Sequence, residues 1–253
     1  MDRVSESRRV GLARALSKMG FCSRSQAANL IRAGRVRLNG ATRRDPETPV
    51  RLERDRLDVD GKLVSTNTLI YLIINKPRGM LTTACDEKDR QTIYTLLDGT
   101  LPWVGPVGRL DKASEGLLLL TNDSEWGACI TDPASHVDKT YHVQVGARPD
   151  ESLAEKLRQG VIADGELLRA KRVRVVRGGE KNTWLEIVLD EGKNRQIRRM
   201  LEHLEVEVLR LVRIAIGPLV LGPLAKGKWR DLTATEKAAL DRAMSTGRGK
   251  VRG

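Results

Sequence analysis

Cysteine, histidine and aromatic side chains are all scarce in this chain of 253 residues: three Cys, three His, four Trp, three Tyr and one Phe. Cys22, Cys85 and Cys129 stand too far apart for a disulfide framework or a zinc ribbon. His136 and His142 lack a Cys or His partner at a ligand spacing, so no metal is assigned. So few aromatics argue against a sheet that stacks several bases on Phe and Tyr, and against a single-strand binder with many stacking platforms. Long apolar runs are also missing. Leu69 to Ile74 falls far short of the roughly 20 residues of a membrane span. The N-terminus shows no apolar stretch that reads as a secretory segment, so the expected place is the cytoplasm, with no membrane partner.

What the chain has in excess is positive charge: 45 Lys and Arg against 33 Asp and Glu, a net +12 and a pI near 10. Residues 1–66 carry 15 basic and 8 acidic side chains, a net +7, and Arg248, Lys250 and Arg252 near the end add +3. The long middle therefore holds only +2. That skew predicts a basic head that meets a polyanion, a nearly neutral body and a disordered basic tail over 245–253. With 40% hydrophobic residues the body can bury a real core.

In the head, Leu12, Ala13, Leu16 and Met19 recur at helical spacing up to Gly20. Ser23-Arg24-Ser25-Gln26 reads as a capping box opening a second helix with Ala27, Ala28, Leu30 and Ile31 on its apolar face, and Gly34 supplies the stop. Arg35 to Leu38 alternates as a strand into an Asn39-Gly40 hairpin turn, and Leu57 to Gly61 repeats the signal. The segment Leu12 through Gly40 resembles the S4 RNA-binding domain. That resemblance places Arg24, Arg32, Arg35 and Arg37 on a surface that meets structured RNA.

The body opens with the buried-strand composition of Leu69 to Ile74, then the turn Asn75-Lys76-Pro77-Arg78-Gly79. Lys76 either pairs inside a site or sits in solvent at the strand end. Gly108-Arg109-Leu110-Asp111, followed by Gly116 and Leu117 to Leu120, sets an acid just before an apolar strand; if buried, the ionised acid needs a partner. Lys139 and Tyr141 share one face of an alternating strand with Val143 and Val145. Trp184 to Leu189 reads as another strand. After Gly192, the basic run Lys193 to Arg199 opens a helix carrying Ile197, Met200, Leu201 and Leu204. Taken alone, Arg198 and Arg199 read as the solvated face of that helix. Strand and turn signals from Leu209 to Leu232 complete a sheet.

Five motifs in this order resemble a pseudouridine synthase of the branch that carries an S4 domain and acts on ribosomal RNA. They are Lys76-Pro77-x-Gly79, Gly108-Arg109-Leu110-Asp111 with Gly116-Leu117-Leu118, Lys139-x-Tyr141, Gly192-x-x-x-Gln196-Ile197-Arg198, and Gly227-x-Trp229-Arg230-x-Leu232. The runs 108–117 and 192–200 look closest to the enzymes of the large subunit, whose substrate is 23S rRNA. The resemblance implies an α+β fold: an S4-type domain over 1–66, then a catalytic domain over 67–244 with a central mixed, largely antiparallel sheet and flanking helices. It implies isomerisation of uridine by a base-flipping mechanism without any cofactor, in a chain expected to act as a monomer. Asp111 falls on the catalytic acid, Tyr141 on the tyrosine that stacks on the flipped base and serves C5, and Arg198 on the cation that pairs with the acid. Arg109 matches an arginine inserted where the base has left. Lys76 is given a supporting role, as is Lys193, which stands where the branch often has Arg.

Rival functions separate by simple observations. A noncatalytic assembly factor of the same fold would not need Asp111 or Arg198. An N-glycosidase would release free uracil, whereas an isomerase releases nothing. Within the family, 16S rRNA or tRNA would replace 23S rRNA as substrate.

Overall fold

The computed structural model describes residues 9–65, 68–83, 90–146, 151–179 and 181–249. Cys85 and residues 250–253 of the basic tail lie outside them. The chain divides into two compact units. One comprises Met1–Ile70 with the short segments Asp98–Gly105 and Thr121–Ser124; the other holds the remainder up to Gly253. The first unit thus reaches past residue 66, because Asn122 captures the connecting strand. Its side chain accepts from Ile70 N–H and donates to Thr68 O, both at 2.8 Å.

The first unit is built from the signals read in the head. Helices Leu12–Lys18 and Arg24–Arg32 pack Leu12, Leu16, Ala27 and Ile31 on Val36, Val50 and Leu57. The capping box is present: Ser23 Oγ accepts from Gln26 N–H at 3.1 Å and Gln26 Oε1 accepts from Ser23 N–H at 3.0 Å. A four-stranded sheet runs in the order Ala41–Arg43, Val36–Leu38, Leu57–Val59, Lys62–Leu63. Its hairpins turn through Asn39-Gly40 and Asp60-Gly61, all four residues at positive φ.

The second unit is organised by a nine-stranded sheet. Its main path runs Arg172–Gly178, Thr183–Leu189, Lys139–Val145, Val208–Ile216, Glu115–Thr121, Tyr71–Lys76, Trp229–Asp231. The first four strands pair antiparallel over long registers. Val208–Ile216 then meets Glu115–Thr121 in parallel, through two register pairs only, Val212 with Glu115 and Arg213 with Gly116. On one side of this narrow junction, helices Glu151–Gln159 and Gln196–His203 bury Leu157, Ile197, Met200 and Leu201 on Val143, Leu185 and Ile187. On the other, Ile73, Leu117 and Leu119 pack with Trp126, Ile130, Leu240 and Met244. Each fully buried leucine contributes about 1.5–3 kcal/mol.

The helix Ala234–Gly249 carries the chain through Gly249, into the segment 245–253 that was expected to be a disordered tail. Its start is locked by Arg230, whose guanidinium donates twice to Glu236 at 2.8 Å and holds that carboxyl down at about 2. Arg199 is likewise not a solvated residue. It donates to Asp164 at 2.8 Å, to Glu166 at 2.9 Å and to Ala163 O at 2.8 Å, binding its helix to the hairpin Val161–Leu168. No described helix is long and apolar enough to cross a membrane.

Gly116 is obligatory at the junction. Its φ is +106°, and a Cβ there would collide with the Arg213 carbonyl oxygen and stand 2.8 Å from the Arg213 nitrogen. Gly116→Ala should therefore cost about 3 kcal/mol or more, a fall in Tm on the order of 10 °C by thermal denaturation.

Candidate active site

The segment Leu110–Ser114 has little regular structure, yet each of its five carbonyls accepts a hydrogen bond. Thr82 Oγ1 donates to Leu110 O at 2.7 Å, and Ser114 N–H donates to Asp111 O at 3.0 Å. Gly79 N–H donates to Lys112 O at 2.7 Å and Arg198 Nη2 to Ala113 O at 3.1 Å. Lys76, with no exposed surface, donates from Nζ to Ser114 O at 2.8 Å and to Asp111 O and Pro77 O at 3.1 Å. Neither sequence reading of Lys76 holds. Among the described residues it makes no ion pair, and it does not sit in solvent; a chain of five carbonyls needs donors, and the strand Tyr71–Lys76 delivers one beneath it. Burial pushes Lys76 down to about 8, opposed by the charges of Asp111 and Glu115 and reinforced by Arg213.

This loop presents Asp111 to a cavity of about 850 Å³. Arg109 and Asp111 line it from the loop, Lys139 and Tyr141 from one strand, Leu211 and Arg213 from the next, and Lys193, Arg195, Ile197 and Arg198 from the turn and helix after Leu189. The sequence-predicted Asp111, Tyr141, Arg198, Arg109 and Lys193 therefore meet in one place, with Lys76 directly beneath. Glu115, almost wholly buried next along the chain, belongs to the framework and pairs with Arg210 and Lys226.

The pairing of Asp111 differs from the expectation. The nearest cation is Arg195, whose Nη1 stands 3.9 Å from Asp111 Oδ2, and the carboxylate side chain is 35% exposed. Arg198 makes no ion pair with Asp111 within 4 Å; it spends its hydrogen bond on Ala113 O, with Nε buried and unpartnered. Burial and Arg195 press the Arg198 pKa down, and Asp111 presses it up, so the two groups feel one another across the site. The reason is reach: Arg198 starts three residues after Arg195, inside the helix Gln196–His203, and its extended side chain arrives at the loop backbone. Arg195 stands at φ +47°, the turn residue that opens that helix.

Lys193 is a strut as much as a wall residue. Its Nζ lies 3.4 Å from both Glu166 and Glu191 and donates to Leu167 O at 3.0 Å. Gln196, buried, donates to Arg169 O at 3.0 Å and to Glu191 at 2.7 Å. Three residues escaped the sequence reading as site elements: Thr82, Arg195 and Arg213. Arg213 alone left a visible sign, a cation sharing a strand face with Leu209 and Leu211.

In the first unit, Arg24, Arg32 and Arg37 are exposed and make no side-chain hydrogen bond or ion pair among the described residues. Arg35 is committed: its Nε donates to Asp60 at 2.9 Å beside a second contact to the same carboxylate. It remains on the surface, 53% exposed, in an ion pair that solvent screens.

The sequence pattern of RNA pseudouridylate synthases matches residues 70–203, and that of the S4 domain matches residues 10–57. An uncharacterized RNA pseudouridine synthase of Aquifex aeolicus (strain VF5) is 40% identical over 230 residues, 90% of this chain and 92% of that one. The ribosomal large subunit pseudouridine synthase B of Bacillus subtilis (strain 168) is 34% identical over 227 residues, covering 89% and 93%. A crystal structure of a pseudouridylate synthase, 31% identical, aligns with a TM-score of 0.64 over 91% of this chain and 99% of that one. The fold and the matched residues define an RNA-modifying isomerase with an N-terminal S4 domain. The chain belongs to the RNA pseudouridylate synthase family.

Deprotonating Lys76 leaves two N–H groups for three carbonyls. Turnover should fall above about pH 8, the value to which burial lowers this lysine. Stability moves the other way: the unfolded lysine keeps its proton to 10.5 while the folded one releases it near 8, so this group adds stability as pH rises between them. Lys76→Met should abolish both slopes and slow turnover by roughly tenfold, about 1.4 kcal/mol of barrier. Activity profiles and urea denaturation between pH 7 and pH 10 check the two signs.

Proposed function

We propose that the chain isomerises one uridine of large-subunit (23S) ribosomal RNA to pseudouridine, using Asp111 as the reacting carboxylate. The observation that carries this reading is the loop Leu110–Ser114: each of its carbonyls is bound, so the Asp111 backbone is held in one place at a cavity that Tyr141 also lines. The Bacillus subtilis relative, named for the large subunit, supports the choice of RNA.

A uridine in folded RNA reaches the cavity only by leaving its stack, at a cost of a few kcal/mol. Arg109, exposed at the rim, fills the space it vacates. Tyr141 packs on the base and serves the C5 proton. Asp111 acts at C1′ as nucleophile or base while the bond to N1 breaks and the bond to C5 forms. Arg198 and Lys76 keep the loop still during this exchange, Lys193 and Gln196 fix the turn that brings Arg195 to the carboxylate, and no atom is gained or lost that would call for a cofactor. Residues 1–66 dock structured ribosomal RNA through Arg24, Arg32 and Arg37, the rest of the chemistry belongs to residues 67–244, and the protein works as a cytoplasmic monomer.

Asp111→Asn should abolish pseudouridine formation, with RNA affinity and Tm close to those of the parent. Mapping pseudouridine in 23S, 16S and tRNA from a deletion strain, complemented by the parent or by this variant, tests residue and target together. A missing site in 16S rRNA or tRNA alone would overturn the choice of substrate, and Asp111→Asn turnover within about tenfold of the parent would overturn the role of the acid.

Replacing Arg24, Arg32 and Arg37 together by Ala should weaken RNA binding and flatten its dependence on salt. The log–log slope should fall by roughly 0.7–0.9 for each phosphate that is no longer neutralised. Turnover at saturating RNA should change little. Arg35→Ala should leave the slope unchanged, since that guanidinium already holds Asp60. Filter binding across a salt series reads all four substitutions.

A further inference from the structure

The cations around the cavity fall into two kinds. Arg109 is exposed and Arg195 is about half exposed, at 47%. Arg213 and Lys139 are 5% and 9% exposed. A guanidinium or ammonium withdrawn from water is ordinarily matched by a carboxylate. Among the described residues neither has a carboxylate within 4 Å, and the charges of Asp138 and Asp190 reach Lys139 only from farther off. Arg213 Nε donates to Leu117 O at 2.7 Å, while its Nη2 is buried without a hydrogen-bond partner. The Lys139 ammonium makes no hydrogen bond or ion pair within 4 Å among the described residues.

The two belong to one patch. Arg213 is the register partner of Tyr141 and Lys139 that of Ile216, across the same pair of strands. Their fields overlap: after burial, the charge of Arg213 is the next cause that lowers the pKa of Lys139, and it acts on Lys76 as well. Evolution of a stable core alone would place apolar residues here, as Leu211 and Ile216 beside them illustrate. The wall instead holds two buried cations without a carboxylate in contact, the charge of Lys139 being offset in part by Asp138 and Asp190 at longer range.

Phosphates are strongly hydrated and are met by the exposed cations at the rim. The part of the lining that includes Tyr141, Leu211 and Ile216, with the buried Lys139 and Arg213, suits a flat and formally neutral ring that gains negative charge during reaction. We propose that Lys139 and Arg213 stabilise the uracil ring as the anion it becomes when its glycosidic bond breaks, an inference that rests on the uridine isomerisation proposed above. When N1–C1′ breaks, both bonding electrons stay on the ring, and the charge spreads from N1 to the carbonyl oxygens. The fixed cations oppose that charge without giving up a proton. When C5 joins C1′, the electron pair returns to the new bond, the C5 proton leaves, and N1 takes up a proton. Preorganised charge in a site screened from water lowers a barrier far more than the same charge in solution.

Arg213→Met, Lys139→Met and Arg213→Lys, measured by single turnover on ribosomal RNA from a strain lacking the enzyme, test the assignment. Affinity for the same RNA and thermal denaturation are read in parallel. Both Met variants should lose about 10²-fold or more in the rate of pseudouridine formation, with RNA affinity within about threefold of the parent. Arg213→Lys, which restores the charge, should recover at least about tenfold of that loss. A rate within about tenfold of the parent in either Met variant, or a loss carried by affinity alone, would overturn the proposal. Should Arg213→Met fail to fold, Lys139→Met and Arg213→Lys decide it on the same criteria. A parent enzyme that forms no pseudouridine in any RNA would instead remove the function on which the inference stands.

Discussion

Five consecutive carbonyl oxygens, those of residues 110 to 114, each accept a hydrogen bond from within the second unit. The donors are a strand-end ammonium, a threonine hydroxyl, two backbone amides and a helix guanidinium. A loop without regular structure normally leaves such groups to water and moves accordingly. Here the chain folds around them, and the Asp111 carboxylate, proposed as the reacting group, is anchored by its own backbone. Placement of a reacting group can supply several kcal/mol of a barrier, and this loop concentrates that placement in Lys76, Thr82 and Arg198.

Positive charge does different work in different surroundings. In the first unit, exposed arginines add long-range attraction to an anionic polymer, an effect that salt screens. At the rim of the cavity, Arg109 and Arg195 stay wet and adaptable. Beneath it, Lys76 has been stripped of water and works through hydrogen bonds to carbonyls. Arg199, Arg230 and Lys193 are spent on carboxylates that bind helices and turns to their neighbours. Net charge alone therefore says little about where RNA is handled.

The fold was legible wherever a signal is local. The capping box at Ser23, the turns at Asn39-Gly40 and Asp60-Gly61, the alternation from Lys139 to Val145 and the run Leu117 to Leu120 all encode structure within a few residues. The proposed site residues Asp111, Tyr141 and Arg198 were legible only as a resemblance between ordered motifs. What lay hidden was partnership over long separations. Arg198 and Ala113 are 85 positions apart, Lys76 and Ser114 are 38, and Arg199 and Asp164 are 35. Long flexible cations choose among acceptors that only the tertiary structure brings near, so the resemblance paired Asp111 with Arg198, the helix pattern left Arg199 in solvent, and the partner of Arg35 went unread.

The ladder of the second unit narrows to two register pairs between Val208–Ile216 and Glu115–Thr121. Asp111 precedes one side of that waist, and Tyr141, Arg195 and Arg198 belong to the other, each side with its own apolar cluster. The cavity is lined from both halves, so its shape depends on how the two clusters meet across those two register pairs. A substitution in either core that shifts one half against the other would change the cavity without touching any residue that lines it.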